Sequence, residues 1–313
     1  MGIPVLDHEA VLAAVSPSDA IAQVRSAFVR YQRGDWTMPP KTYLPSPPHG
    51  DFRAMPALGD GLAILKWVTS FPANRATATP TVSGVVCVSD ATDGALLMLL
   101  DGRAVTALRT GAAAAVAASV LASTDTTVGM IGCGVHGRWA ARCLHAAGFG
   151  PGVCFDPDGR AAAGLAEELG WVAGGLEDAV RAGIVTTTTP GSEAVVTEDD
   201  LHAGLHLTML GADGPGKSEA TLEVISRCTL FCDDWGQAAH GGEITRAVEL
   251  GRITREDVTD LGAVLGGDQP GRTSEEEMTL FDSTGLAIQD LAIARAAWEA
   301  WEAGSIDAPT VSL

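Results

Sequence analysis

Residues 126–137 read TTVGMIGCGVHG, an apolar run that closes on Gly132-Cys133-Gly134-Val135-His136-Gly137 and opens a helical pattern reaching about Gly148. In a GxGxxG so placed, the first glycine permits a tight turn and the second lets backbone approach a pyrophosphate. The third lets helix and strand pack closely. Val135 and His136 fill the variable positions and read as ordinary loop residues of that cradle. The helix start offers N–H groups and the positive end of its dipole to phosphates. Asp156 lies 19 residues past Gly137, at the end of the next apolar run, where a carboxylate can accept from ribose hydroxyls. A glycine-rich turn without a ligand is the competing reading, and the aspartate at this spacing argues against it. Asp156 would repel a 2′-phosphate, so NAD is favoured over NADP, although Arg160 lies close enough to reach such a phosphate.

The alternation continues. VCFD (153–156), a helix near 159–169, IVTTTT (184–189), LHLTML (205–210) and TLFCDD (229–234) follow in order. Strands alternating with helices predict a parallel sheet covered on both faces, a doubly wound α/β Rossmann domain over 123–285. Thr188, Thr189 and Pro190 end one strand at the carboxyl edge, where ligands of such sheets bind, unless they are a plain strand end.

The flanking sequence has another character. Residues 16–33 form an amphipathic helix pattern: Ser16 caps, Pro17 suits the first position, Ile21, Val24, Phe28 and Tyr31 share a face, and Gly34 closes it. A proline-rich stretch follows, then strand-like runs LAILKWV, TVSGVVCVSD and ALLMLL over 61–100. An alanine-dense helix covers 104–122, with Arg109 and Thr110 near its start, and a last helix covers 285–302. An α+β domain over 1–122 is expected, with a C-terminal helix lying beyond the alternating unit.

Charge narrows the function. The 313 residues carry 39 acids against 20 bases, a net charge of −19, with only three lysines: Lys41, Lys66 and Lys217. Such a surface repels phosphate backbones and anionic lipid, so neither nucleic acid nor a membrane is an expected partner. No unbroken 18-residue apolar run stands out, and the first residues carry acids rather than a basic leader, so a cytoplasmic protein is expected. Six scattered cysteines without a CxxC pair read as reduced thiols. The sequence HGGE at 240–243 has no second histidine at ligand spacing, so no metal is expected.

Scarcity makes the cations informative. Lys66 sits inside the apolar LAILKWV, where a buried ammonium costs several kcal/mol unless paired. Arg109 adds a fork of donors at what reads as a helix start, and Lys41 and Arg53 flank the proline-rich loop. Together the four suit a small carboxylate; the alternative is that each pairs with an internal aspartate or carbonyl. GADGPGKSE (211–219) follows the LHLTML run. There Asp213 is placed to transfer protons over a nicotinamide and Lys217 to hold the aspartate or the cofactor, the alternative being an Asp-Gly turn with a solvated lysine.

These residues together resemble the ornithine cyclodeaminase/mu-crystallin family, and within it the archaeal-type alanine dehydrogenase branch. The likeness runs through MPPK (38–41), RAMPA (53–57), LKWV (65–68), LRTGAA (108–113), IGCG (131–134), GADGPGK (211–217) and FDSTGLAIQD (281–290). It implies a homodimer, with a Rossmann domain and a separate dimerisation/substrate domain, 1–122 and 286–313, to which the final helix returns. It implies nicotinamide-dependent imine reduction on a small amino or oxo acid, with Lys66 and Arg109 on the substrate carboxylate and Lys41 on a carboxylate-contacting position. Asp213 falls on the acid/base position, and Lys217 and Ser283 fall where members contact the cofactor near the nicotinamide. Cyclodeaminases carry a glutamate where this chain has Arg53. A cation there would repel the distal ammonium of ornithine by about 1 kcal/mol in water and ~4 kcal/mol at a protein-like dielectric for a 4 Å separation. Lys41 with Arg53 is the pair expected of the alanine dehydrogenase branch. Expected rivals are a ketimine reductase acting on cyclic imino acids or N-substituted amino acids, a cyclodeaminase, and a non-enzymatic binding protein.

Overall fold

The computed structural model describes residues 2–191, 193–212, 214 and 216–313. The chain divides into two compact units, one of Met1–Arg109 with Leu286–Leu313, the other of Thr110–Gly285.

In the second unit eight parallel strands form one sheet. Their spatial order is Val258–Asp260, Thr229–Cys232, Thr279–Asp282, His206–Met209, Ile184–Thr187, Val128–Ile131, Gly152–Phe155 and Val172–Ala173. The chain runs outward from Val128–Ile131 on one side and resumes at Ile184–Thr187 on the other, so the topological switch point lies between those two strands, where open α/β sheets bind ligands. Four central strands are buried at every position, as cover on both faces requires. One buried polar trio is tied together: His206 joins the Thr279 and Thr208 hydroxyls at 2.9 and 3.0 Å. Burial pushes that imidazole down to about 3, so it is neutral at physiological pH.

The first unit is built on a seven-stranded sheet in the order Thr310–Val311, Ile3–Leu6, Leu96–Asp101, Val82–Asp90, Leu62–Ser70, Gly50–Gly59 and Thr42–Ser46. All neighbours are antiparallel except Ile3–Leu6 with Leu96–Asp101. The helix Pro17–Gln32 starts in a reciprocal cap between Ser16 and Asp19 and buries Ala20, Val24, Ala27 and Phe28. The C-terminal helix Ala287–Glu302 packs against it and lies on the strands Gly50–Gly59 and Leu62–Ser70.

Several expectations are corrected. The proline-rich segment forms the hairpin Thr42–Ser46 with Gly50–Gly59, and Pro45 is tolerated because Thr42–Ser46 is an edge strand. The strands Val258–Asp260 and Thr279–Asp282 extend the sheet beyond the runs that the sequence displays. The alanine-rich helix runs Gly102–Leu121, so Arg109 is its eighth residue and not a start. That helix is long and apolar enough to cross a membrane, contrary to expectation, yet 83% of its most apolar window is buried inside the fold, as in a core helix.

Candidate active site

Backbone strain and close approach explain the first and third glycines of the loop at 132–137. Gly132 has φ +93°, a left-handed conformation that other residues rarely adopt. A Cβ on Gly137 would stand 1.8 Å from the Gly132 carbonyl oxygen, whereas one on Gly134 would meet nothing within 4 Å. The turn therefore dictates the first and third glycines. The second is dictated by nothing within the fold, which fits a cradle that leaves room for a pyrophosphate. Gly134 caps the helix Val135–Ala146 without a side chain, so Val135 and His136 are its first two helical residues and not loop positions. The first intrahelical bond runs from Arg138 N–H to the Gly134 carbonyl, so the helix opens directly at the second glycine.

Asp156 directly follows the strand Gly152–Phe155. Its two oxygens accept from the Cys133 and Asp158 amides at 2.7 and 2.8 Å, and each retains a lone pair for a ribose hydroxyl. Arg160 is 96% exposed beside Asp158. These residues fit a dinucleotide with a free 2′-hydroxyl. The Thr188 hydroxyl donates to the Gly132 carbonyl at 2.9 Å, bracing the glycine turn from the adjacent strand across the switch point.

The loop at 211–219 is fastened at both ends by buried carboxylates that the sequence did not single out. Glu219 accepts from the Thr189 amide and hydroxyl at 2.6 and 2.9 Å and from the Gly211 amide at 2.7 Å. Glu243 accepts from the amides of Glu219 and Ala220 and from the Ser218 hydroxyl, at 2.8 to 2.9 Å. Burial pushes the Glu243 carboxyl up to about 7, with Glu219 adding repulsion against the amides' pull. Asp213 itself lies outside the described residues. Lys217 lines a cavity of about 350 Å³ with Ser218, His240, Glu243 and Arg246. Ser283 is buried, and Asp233 gathers its hydroxyl, the Thr284 hydroxyl and the Gly285 amide at 3.5, 3.1 and 2.7 Å.

The four front-half cations belong to the first unit. Cross-strand register sets Tyr43 opposite Arg53 and Arg53 opposite Val68, while Met55 and Val86 flank Lys66. The two-residue period therefore puts Arg53 and Lys66 on one sheet face. Lys66 is 1% exposed, and its Nζ lies 2.6 Å from Asp290 Oδ2 and 3.4 Å from the Thr106 hydroxyl. Arg109 Nε lies 3.7 Å from Asp290 Oδ1, and its Nη1 donates to Gln289 Oε1 at 3.5 Å. Burial pushes Lys66 down to about 8; Asp290 pulls the other way, while Arg109 and Lys41 repel. Arg53 grips Asp51 at 2.6 and 3.3 Å and stacks over Tyr43. Lys66 and Arg109 thus share the internal Asp290, and Arg53 takes Asp51, as in the internal-pairing alternative.

All six cysteines are unpaired. No group of three or more His, Cys, Asp or Glu side chains among the described residues is arranged to hold a metal ion.

A model described as the ornithine cyclodeaminase/mu-crystallin family matches residues 4–305. The chain is 40% identical over 303 residues to the alanine dehydrogenase of Archaeoglobus fulgidus, covering 94% of each. It superposes at a TM-score of 0.95 and 38% identity on an archaeal alanine dehydrogenase dimer with bound NAD, covering 100% of both chains. A Δ(1)-pyrroline-2-carboxylate reductase of Thermococcus litoralis in complex with NADH and L-proline superposes at a TM-score of 0.92. Its identity is 27%, and the match covers 99% of this chain and 100% of that one.

Proposed function

Because the chain belongs to the ornithine cyclodeaminase/mu-crystallin family, we propose that it is an NAD-dependent dehydrogenase interconverting a small 2-oxo acid plus ammonia and an L-amino acid, most simply pyruvate and L-alanine. NAD, when bound, supplies or accepts the hydride. In this reading the backbone at Gly132, Gly134, Val135, His136 and Gly137 receives the pyrophosphate, and Asp156 accepts from the ribose hydroxyls. Thr188, Thr189, Lys217 and Ser283 border the nicotinamide end.

The observation that carries the substrate class is the shared grip of Lys66 and Arg109 on Asp290. Two cations to one carboxylate leave positive charge over, and an anionic substrate supplies the balance. Lys66 and Arg109 hold that carboxylate, and Lys41 polarises the oxo group and stabilises the carbinolamine, with Arg53 supporting it. Asp213 moves the proton as ammonia adds and water leaves. A diamino acid is disfavoured: the carboxylate nearest Arg53, Asp51, is already committed to that guanidinium.

The same seat would accept a cyclic imino acid. That second reading, a ketimine reductase, draws support from the likeness to the pyrroline-2-carboxylate reductase. NADH oxidation decides between them: pyruvate plus ammonia is expected to outpace pyrroline-2-carboxylate and piperideine-2-carboxylate. Proline formed from ornithine on catalytic NAD would instead establish a cyclodeaminase. Asp213→Asn is expected to keep NADH binding and lose most turnover, and full activity in that variant would remove Asp213 from the mechanism.

The partner we propose is a second copy of the chain. Leu58, Leu65, Trp67 and Val85 are 47%, 42%, 37% and 36% exposed on the sheet face opposite Lys66, a neighbouring apolar set that a soluble surface seldom leaves open. The related alanine dehydrogenase is a dimer.

A further inference from the structure

Asp290 is fully buried in the first turn of the helix Ala287–Glu302, where the helix dipole favours a negative charge. Around it the charges do not balance. Lys66 approaches from the strand Leu62–Ser70 and Arg109 from the helix Gly102–Leu121, and Lys41 acts on Lys66 from just before the strand Thr42–Ser46. The neighbours of Lys66 on the flanking strands, Met55 and Val86, are uncharged, and Arg53 farther along is paired with Asp51. Buried donors Arg109 Nε and Gln289 Nε2 stand without a hydrogen-bond acceptor among the described residues, and the Asp290 oxygens beside them make ion pairs only. Leaving such donors unmet is costly, and an anion seated among them would satisfy them.

We propose that Asp290 is a positioning residue that holds Lys66 and Arg109 as a pair and couples seating of the substrate carboxylate to uptake of one proton by Lys66. This rests on the carboxylate-binding reading above. In the empty seat burial makes the ammonium of Lys66 give up its proton as pH rises through about 8. An arriving carboxylate adds a second negative charge beside it, so the amine takes a proton from solvent and becomes the ammonium that binds the anion. When the acid leaves, the proton returns to solvent. No other bond changes. Above the pH at which the empty-seat amine deprotonates, affinity for the acid falls up to tenfold per pH unit. Asp290 is the group that opposes deprotonation. Replacing it by an amide leaves burial and the two neighbouring cations acting together, which moves the loss of affinity to lower pH.

The experiment uses the enzyme–NADH complex and oxamate, an inert monocarboxylate of pyruvate's shape. Calorimetric titration in two buffers of different ionisation enthalpy is expected to show close to one proton taken up per oxamate at pH 9 and close to none at pH 6.5. Equal, near-zero uptake at both would overturn the proposal while leaving the dehydrogenase reading intact. Failure of oxamate and of every 2-oxo acid to bind would overturn both. In Asp290→Asn, KM for the oxo acid is expected to rise about tenfold or more at pH 8, with its break shifted down by about one pH unit and kcat changed less than threefold. An unshifted break would show that Asp290 is merely structural. If that variant does not fold, the calorimetry on the unaltered enzyme still decides.

Discussion

Asp156 Oδ2 accepts the Cys133 amide at 2.7 Å, so the carboxylate proposed to select the ribose is locked to the glycine turn proposed to hold the pyrophosphate. One substitution should therefore disturb both. Asp156→Ser is expected to lower kcat/KM for NAD by about 10- to 100-fold, the loss of a charge-assisted hydrogen bond, and to narrow the preference over NADP. Steady-state kinetics with the two cofactors measures it; an unchanged preference would take Asp156 out of cofactor selection.

Gly134 and Gly137 should respond oppositely to one added methyl group. Gly134→Ala adds a Cβ with nothing near it and is expected to melt within a few degrees of the unaltered protein while binding NADH much more weakly. Gly137→Ala drives a Cβ against the Gly132 carbonyl oxygen and is expected to lower Tm itself. Thermal melts paired with NADH fluorescence titration separate the two. NADH affinity surviving in Gly134→Ala would mean that this loop is not the cradle.

Glu243 predicts a pH slope. Its carboxyl is raised from 4.5 to about 7 in the folded state, so the stability it lends is complete below about 4.5 and is lost as pH rises through 7. Glu243→Gln imitates the protonated form. Its Tm is expected to fall less between pH 5.5 and 8 than that of the unaltered protein, and to exceed it at pH 8. Parallel melting curves across that range would show that Glu243 is ionised throughout.

Trp67 tests the proposed dimer face. Trp67→Glu places a charge at the centre of the exposed apolar set and is expected to convert a dimer into a monomer by sedimentation velocity, with the far-ultraviolet spectrum unchanged. A persisting dimer would place the interface elsewhere.

How much of this was legible beforehand follows from what made each residue stand out. The glycine turn and Asp156 were legible because a strand-to-helix reversal over a phosphate restricts residue type at fixed spacing. Lys66 was legible because lysine is rare in this chain. Asp290 was not, since it is one of 39 acids, embedded in LAIQDLAIARAA, and only the fold reveals that its helix turn meets Lys66. Glu219 and Glu243 escaped for the same reason, although an acid among small and apolar neighbours, as in GKSEA and HGGEI, was a usable signal. Strands of three and four residues such as Val258–Asp260 and Thr279–Asp282 are too short to display a period. Arg109 was misplaced because the helix begins at Gly102, before the alanine-rich run declares itself.

The route of the chain has a consequence during synthesis. The counter-ion of Lys66 is encoded 224 residues downstream of it. Until residue 290 emerges, a nascent first unit must either expose that ammonium or hold it unpaired, so its core cannot close in the native arrangement. The Rossmann unit, contiguous from Thr110 to Gly285, needs nothing from the tail to complete its sheet. Biogenesis thereby acquires an order: the middle is free to mature first, while the opening strands wait for Asp290.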